Sequence, residues 1–444
     1  MILKSFPLAL VFLSVNSAAF ATEARNNVLS NPAGLDDEVQ VFTYPSLVNR
    51  YSLASAEWGN VGNNESYVVA FAQTSAGSFG VALSRDQSVF NYFDPNTLTA
   101  NDPDLVAKAI GHYSLNSKFA ARETGIAPKR PIDLFFGLPL GEDKGFGVRL
   151  TLAGDTNETS TDTAGKTTKD AQQADLTLGF HTPVATGRLD LALRAGILGK
   201  LENKVQPPNG AAKSSATYDR NLALRVSARF VEIKNATLKP YYKGSLDWQA
   251  PDVKSEAAGK SESKKGRDLF FDAQAGALFA PKEGVQLNAG GGAFYFASEG
   301  PYALSAPATP GGLTVDQAIQ RGLEKTTATT ADGKTKRSGY GVLANLGAEA
   351  LVTESFGAMT GVRYTLWGRL TTKDDFTAGK PKYTTNLAET TDNELWGFGL
   401  FYKREALRID AAAEVRNFLH NGPHFITGAT TAALLGQISG SYRF

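Results

Sequence analysis

Over most of its length this chain alternates apolar and polar residues with a period of two, and the polar side carries charge. Between Arg188 and Leu198, Leu189, Leu191, Leu193, Ala195 and Ile197 share one parity, opposed by Asp190, Ala192, Arg194 and Gly196. Leu222, Leu224, Val226, Ala228 and Phe230 oppose Arg225, Ser227 and Arg229 in the same way. Leu407, Ile409, Ala411, Ala413 and Val415 oppose Arg408, Asp410, Glu414 and Arg416. Successive side chains of a strand point to opposite faces, so each segment predicts a strand with one apolar and one wet face. Past the N-terminus no long charge-free apolar run follows, so the hydrophobic fraction of 42% is not organised as transmembrane helices.

A soluble antiparallel sheet would alternate in the same way, and the connections decide between the two. Short turns fall at 76–78, 140–145, 182–187, 232–235, 281–284, 353–355 and 403–405. Long polar connections separate them at 85–130, 154–173, 200–218, 249–267, 298–337, 371–392 and 417–431. Short–long alternation is the pattern of an outer-membrane barrel, with tight turns at the periplasm and long loops outside. The predicted fold class is all-β, a transmembrane antiparallel β-barrel over 38–444 with about sixteen strands, fourteen being the alternative. The first strand is expected over 38–57, where Pro45 cannot donate to a ladder and implies a bend or an edge. Leu105, Val106, Ala109, Ile110 and Tyr113 recur at helical spacing, as do Val315, Ala318, Ile319 and Leu323, which predicts short loop helices.

Both ends of the chain add a compartment. The final alternating strand stops on an aromatic, with Tyr442 and Phe444 on its apolar face. This resembles the closing strand of bacterial outer-membrane barrels, whose terminal aromatic is read by the assembly machinery. The resemblance implies a bacterial outer-membrane protein, with membrane lipid and the barrel-assembly machinery as partners. At the other end, Lys4, the apolar run from Phe6 to Val15, and Ala19-Phe20-Ala21 predict a signal peptide over 1–21, cleaved before Thr22.

Composition excludes several classes of function. Cysteine is absent, which removes disulfides, thiolate catalysis and zinc–thiolate sites. Forty-five Lys and Arg stand against 44 Asp and Glu, so no basic excess exists to attract nucleic acid. The histidines, His112, His181, His420 and His424, form no metal-binding spacing and read as loop or turn residues. Gly165-Lys166-Thr167 and Gly333-Lys334-Thr335 lack the earlier glycine of a phosphate-binding loop, with Ser160 and Ala328 in its place. The chain is therefore expected to be no enzyme, with no catalytic, cofactor or metal site.

If the apolar faces meet lipid, the opposite faces line the interior. They carry Arg149, Asp175, Asp190, Arg194, Arg225, Arg229, Lys243, Asp272, Glu349, Arg363, Arg408, Asp410, Glu414 and Arg416. Such residues cannot face hydrocarbon, where one arginine at the midplane costs about 2–4 kcal/mol. Both signs are present, so a water-filled channel and a cross-linked wall around a plug both remain open.

Ahead of the first strand stands Asn31-Pro32-Ala33-Gly34-Leu35. Proline fixes φ and glycine permits an unusual turn, which suits a compact stopper. With the barrel pattern, this motif resembles the long-chain fatty acid transporter family, in which an Asn-Pro-Ala segment belongs to an N-terminal hatch folded back into the barrel. The resemblance implies a plug-like segment over 22–37 and passive uptake of a small, hydrophobic molecule. The loop helices would capture the ligand, and the segment around Asn31–Leu35 would rearrange to let it pass. The family's preceding Gly/Ala-rich stretch is replaced here by the short polar run Thr22–Ser30. Two other readings stand beside this one. The first is a general or substrate-selective diffusion porin whose charged lumen conducts ions. The second is a structural or adhesive surface barrel without transport.

Overall fold

The alternating segments pair edge to edge until the last meets the first. The computed structural model describes residues 23–29, 34–35, 37–59, 66–84, 126, 128–161, 165–208, 213–235, 237–257, 260–301, 334–375, 383–387, 394–416 and 436–444. A short helix, α1 (Glu23–Val28), and 3-10 turns at Glu38–Phe42 and Pro45–Arg50 precede the sheet. The strands are β1 (Leu53–Gly59), β2 (Tyr67–Thr74), β3 (Gly77–Leu83), β4 (Lys129–Gly141), β5 (Lys144–Thr161), β6 (Gly165–Val184), β7 (Gly187–Gln206), β8 (Ser214–Glu232) and β9 (Leu238–Ala257). They continue with β10 (Lys260–Lys265), β11 (Arg267–Lys282), β12 (Val285–Pro301), β13 (Lys334–Leu351), β14 (Phe356–Asp375), β15 (Tyr383–Leu387), β16 (Glu394–Arg404), β17 (Leu407–Arg416) and β18 (Gln437–Arg443).

Neighbouring strands pair antiparallel, and β1 pairs with both β2 and β18, which closes the sheet. Short β10 and β15 lie beside the outer ends of β9 and β14, beyond the stretches paired with β11 and β16. Sixteen strands therefore form the cylinder. Closure leaves no unpaired edge in hydrocarbon, the condition a sheet must meet to span a bilayer. Its outer face carries exposed Ile132, Leu134, Phe136, Leu191, Leu193, Val226, Leu246, Phe271, Leu346 and Leu400. Aromatic Tyr242, Phe356, Tyr442 and Phe444 stand exposed near the end that bears the short turns. Large apolar side chains directed outward all round, with buried charges inward, describe an outer-membrane-type transmembrane barrel.

Tight turns hold that end. Asp143, Ala185 and Glu405 have φ of 54°, 53° and 50°, and Gly284 has φ 76°, each in a turn between paired strands. Positive φ lets a two-residue turn match the twist of its strands.

Two sequence expectations are corrected. The strand expected over 38–57 begins only at Leu53, because residues 38–50 coil in 3-10 turns. Pro45 is neither a bend nor an edge of a strand; it opens the second turn, where its fixed φ suits the first position. Much of the polar sequence expected as loop is strand. β5 and β6 stay paired out to Thr161 and Gly165, and β9 with β10 out to Ala257 and Lys260. In those extensions both faces are polar, so no hydrophobic period announces the ladder. The helices expected at 103–113 and 314–325 lie outside the described residues.

The pairing of β7 with its neighbours is interrupted. Ala174 pairs with Leu198 but Asp175 with Gly196, which makes Ile197 an extra residue in β7. Pairing of β7 with β8 stops at Gly196–Ala223 and resumes at Lys200–Asp219. Arg220, 2% exposed, fills the break. It donates to Asp175 Oδ1 at 2.5 Å and to the Leu198 carbonyl at 3.0 Å. Removing one partner of a buried pair leaves an uncompensated charge, at a cost of about 3–5 kcal/mol. Arg220→Ala should therefore lower the urea midpoint of unfolding markedly, and Arg220→Lys should recover part of the loss. An unchanged midpoint in Arg220→Ala would show that the seam is held by the backbone alone.

Candidate functional site

Among the described residues, those before β1 make a dense set of contacts on the lumen face. Asp37 begins the first 3-10 turn, its carboxylate accepting from the Gln40 backbone N–H at 3.3 Å. In a 3-10 turn, residues three apart lie one above the other. Val41, Tyr44, Leu47 and Val48 follow that spacing closely, and with Phe42 and Tyr51 all are buried. Their partners are the wall residues Leu53, Tyr67, Val69, Phe71, Ala82, Phe135 and Ala192. Phe42 meets Phe135 edge-on at 5.3 Å, and Phe71 meets the same ring at 5.3 Å. Upstream, α1 packs on β14, β16, β17 and β18. There Ala24, Val28, Leu29 and Leu35 share an apolar cluster with Val231, Tyr241, Leu278, Met359 and Ala412.

This stretch has little regular structure, so its buried carbonyls need partners from elsewhere. The wall supplies them. Arg229 donates to the Leu35 carbonyl at 2.9 Å, Arg149 to the Phe42 carbonyl, and Asn288 to the Leu29 carbonyl at 3.4 Å. Asn49 donates to the Phe146 carbonyl at 3.1 Å, and Gln73 donates to the Asn49 carbonyl at 2.6 Å. Each arginine is held in turn by a wall carboxylate. Arg149 bonds Asp133 at 2.8 Å, Thr151 donates to the same oxygen, and Arg229 bonds Asp190 at 2.6 Å beside Arg188. The guanidinium planes also cover rings of the segment, Arg149 over Phe42 at 5.2 Å and Arg229 over Tyr44 at 5.2 Å. The helix is tied by charge. Glu349 takes Arg25 at 2.5 Å and Arg408 at 3.1 Å, and Arg408 also holds Asp410 at 2.8 Å. Wall glycines make room: a Cβ at Gly147 would collide with the backbone of Pro45 and Ser46, and one at Gly397 with that of Val28.

Among the residues predicted from sequence, Arg149, Asp190, Arg229, Glu349, Arg408 and Asp410 gather at this contact. Arg194 pairs with Asp175 at 2.9 Å and Arg225 with Asp247 at 3.4 Å. Asp272 accepts from Ser245 and from Gln274. Lys243 and Arg363 face inward, half-buried. Glu414 and Arg416 fall in β17, and their side chains are outside the described residues. Of the N-terminal motif, Gly34 and Leu35 are buried on the lumen side, while Asn31, Pro32 and Ala33 lie outside the described residues. Tyr442 and Phe444 are exposed to 53% and 67%, on the lipid face. His181 departs from the loop reading: it is buried on the inner face of β6, opposite Asp190.

Arg25, Asp133, Arg188, Arg220 and Asn288 were not singled out from sequence. Parity would have found Asp133 and Arg188, which alternate with Leu134 and Leu189. Arg220 was beyond that rule. Counting back from outward Leu222 puts it on the lipid face, but the pairing of both Asn221 and Leu222 with Ala250 resets the alternation. Among the described residues no group of three or more His, Asp or Glu side chains is placed to hold a metal ion.

No protein-family model matches this sequence, and none of the curated proteins is similar to it. Solved structures do show likeness. The ferric-catecholate import receptor Fiu of E. coli K12 is 12% identical with a TM-score of 0.36, over 65% of this chain and 52% of that one. The chain thus spans about half the length of that receptor. The toluene transporter TodX of Pseudomonas putida is 8% identical with a TM-score of 0.35, over 94% of each chain. The translocator domain of the autotransporter NalP of Neisseria meningitidis is 10% identical with a TM-score of 0.27, over 88% of this chain and 87% of that one. Likeness this distant bears on neither ligand nor mechanism.

Proposed function

We propose that this chain is a gated outer-membrane transport protein, in which residues 23–51 close the short-turn end of the lumen and move aside to admit a small, hydrophobic solute. One observation carries the reading. The segment is held by many separable contacts (carbonyls on arginine tips, rings under guanidinium groups, backbone seated on glycines) and pairs with no strand. Contacts of this kind break and re-form without disturbing the ladder that closes the cylinder. A general diffusion porin needs an unobstructed lumen, and a purely structural barrel has no use for a detachable segment. The hydrophobic character of the solute rests on the resemblance of Asn31–Leu35 to the fatty acid transporter hatch.

Deleting Thr22–Gly34 tests the proposal in planar bilayers. Wild-type protein should show small, infrequent currents, and the deletion should raise single-channel conductance severalfold. Large steady currents from the wild type would favour the porin. Unchanged conductance in the deletion would remove the gate.

A further inference from the structure

One row of residues crosses the inner wall where the N-terminal motif docks. Tyr241 of β9 stands opposite Gly276 of β11, Gly276 opposite Gly290 of β12, and Gly290 opposite Asn345 of β13. Side chains of a strand ordinarily rise away from the sheet. Tyr241 instead lies along it: a Cβ at Gly276 or at Gly290, one and two strands away, would strike its hydroxyl. The two glycines leave a trough in the wall, and the tyrosine, 1% exposed, fills it. At the far end its hydroxyl donates to Asn288 Oδ1 at 3.2 Å and bonds the Asn345 side chain.

The motif comes down on this ring. A Cβ at Gly34 would collide with three of its carbons, so bare backbone of the segment lies against the ring, and any side chain at position 34 would have to displace it. Displacement is opposed from below, because the hydroxyl is held by two asparagines. One of them reaches the segment as well. Asn288 donates through Nδ2 to the Leu29 carbonyl at 3.4 Å. It stands opposite Gly347 of β13, where a Cβ would strike the Leu29 backbone. One tyrosine thus ties together the seats on both sides of Asn31-Pro32-Ala33, Gly34 through its ring and Leu29 through its hydroxyl and Asn288. A glycine inside a strand weakens the sheet and marks a close approach of another group. Here two directly paired glycines are given up to seat one ring.

We propose that Tyr241 is the positioning residue of the gate. Its ring fixes where the motif docks on the wall, and its hydroxyl sets how readily residues 29–35 lift from it. This deepens the gate reading above and rests on it.

Thiol labelling of the full-length protein in detergent tests this. The chain has no cysteine, so Leu35→Cys introduces a single thiol at a position 2% exposed. Its rate of reaction with a small maleimide reports how often the segment lifts. Tyr241→Phe keeps the ring and removes the hydroxyl, and the rate should rise about two- to tenfold, the worth of one hydrogen bond. Gly34→Ala drives a methyl group into the ring and should raise the rate at least as much. Tyr241→Ala removes what that methyl strikes, so adding Gly34→Ala to it should change nothing further. Tyr242→Phe, on the outer face of the same strand and 56% exposed, should label as the parent does. Heat-modifiable electrophoretic mobility confirms that each barrel is closed, and Tyr241→Phe with Gly34→Ala, measured singly, carry the test if Tyr241→Ala fails to fold. Unchanged labelling in Tyr241→Phe, equal acceleration in Tyr242→Phe, or additive effects of Gly34→Ala and Tyr241→Ala would each overturn the proposal. Labelling reads lifting without any current. If it fails while the Thr22–Gly34 deletion raises conductance, Tyr241 loses its role and the gate stands; unchanged conductance in the deletion removes the gate itself.

Discussion

Gly147→Val is expected to unseat the 3-10 turns at 38–50 while leaving the barrel closed. Gly147 pairs with Gly137 on one side and Gly179 on the other. Valine suits a strand, so the ladder loses nothing through the substitution itself. The added side chain points inward, where the nearest atoms are the Pro45 carbonyl and the Ser46 nitrogen. These are backbone atoms and cannot swing away as a side-chain tip would. Forced overpacking costs about 1–3 kcal/mol, and that strain vanishes if the segment lifts off. The segment should therefore spend more time detached, and single-channel conductance should rise towards that of the Thr22–Gly34 deletion. Gly244→Val is the control, since a Cβ there makes only an ordinary contact with the Asp272 carbonyl. If a folded Gly147→Val conducts like the wild type, residues 38–50 do not obstruct the lumen.

The second large effect is expected at Glu349. This carboxylate joins two arginines from different elements, Arg25 of α1 and Arg408 of β17. Glu349→Ala removes the carboxylate that Arg25, only 1% exposed, bonds at 2.5 Å, and breaking a buried pair in this way costs about 3–5 kcal/mol. The wall itself keeps Asp410 beside Arg408, so the loss should fall on the helix. The expected results are a lower unfolding midpoint and frequent channel opening. Arg25→Met should have a similar effect. The double variant Arg25→Met with Glu349→Met should be less destabilised than the sum of its parts, because it removes both charges from a site with little water. Additive losses would mean that the two residues act independently, and α1 would then be held by its apolar face alone.

The legibility of this chain varied with the strength of its period. Arg149, Asp190, Arg229 and Glu349 could be assigned to the lumen from parity, because each sits in a run where leucine, valine or phenylalanine holds the other face. Partners were another matter. Arg229 meets Asp190 because β7 and β8 pair in that register, and a shift by one residue would turn every side chain to the other face. Arg220 shows the limit most sharply, since a single extra residue in β8 reverses its face. The outer halves of β5, β6, β9 and β10 left no trace in the pattern. Threonine, serine and lysine occupy both faces there, and the ladder is carried by backbone hydrogen bonds to which composition is blind.

What the sequence determined by itself was the membrane barrel: its lipid face, its charged interior and its tight turns at one end. That information is local, because hydrocarbon acts on every residue of a strand separately and rewards strict alternation. Only the tertiary structure decided that residues 38–50 leave the wall and coil against its inner face. Val39, Val41 and Leu47 share one parity and fit a strand facing lipid, and only Pro45 and the opposite parity of Tyr44 and Val48 speak against it. Their place is fixed by groups roughly a hundred or more residues further along the chain, the arginine tips at Arg149 and Arg229 and the bare backbone at Gly147, which meet them only once the cylinder has closed.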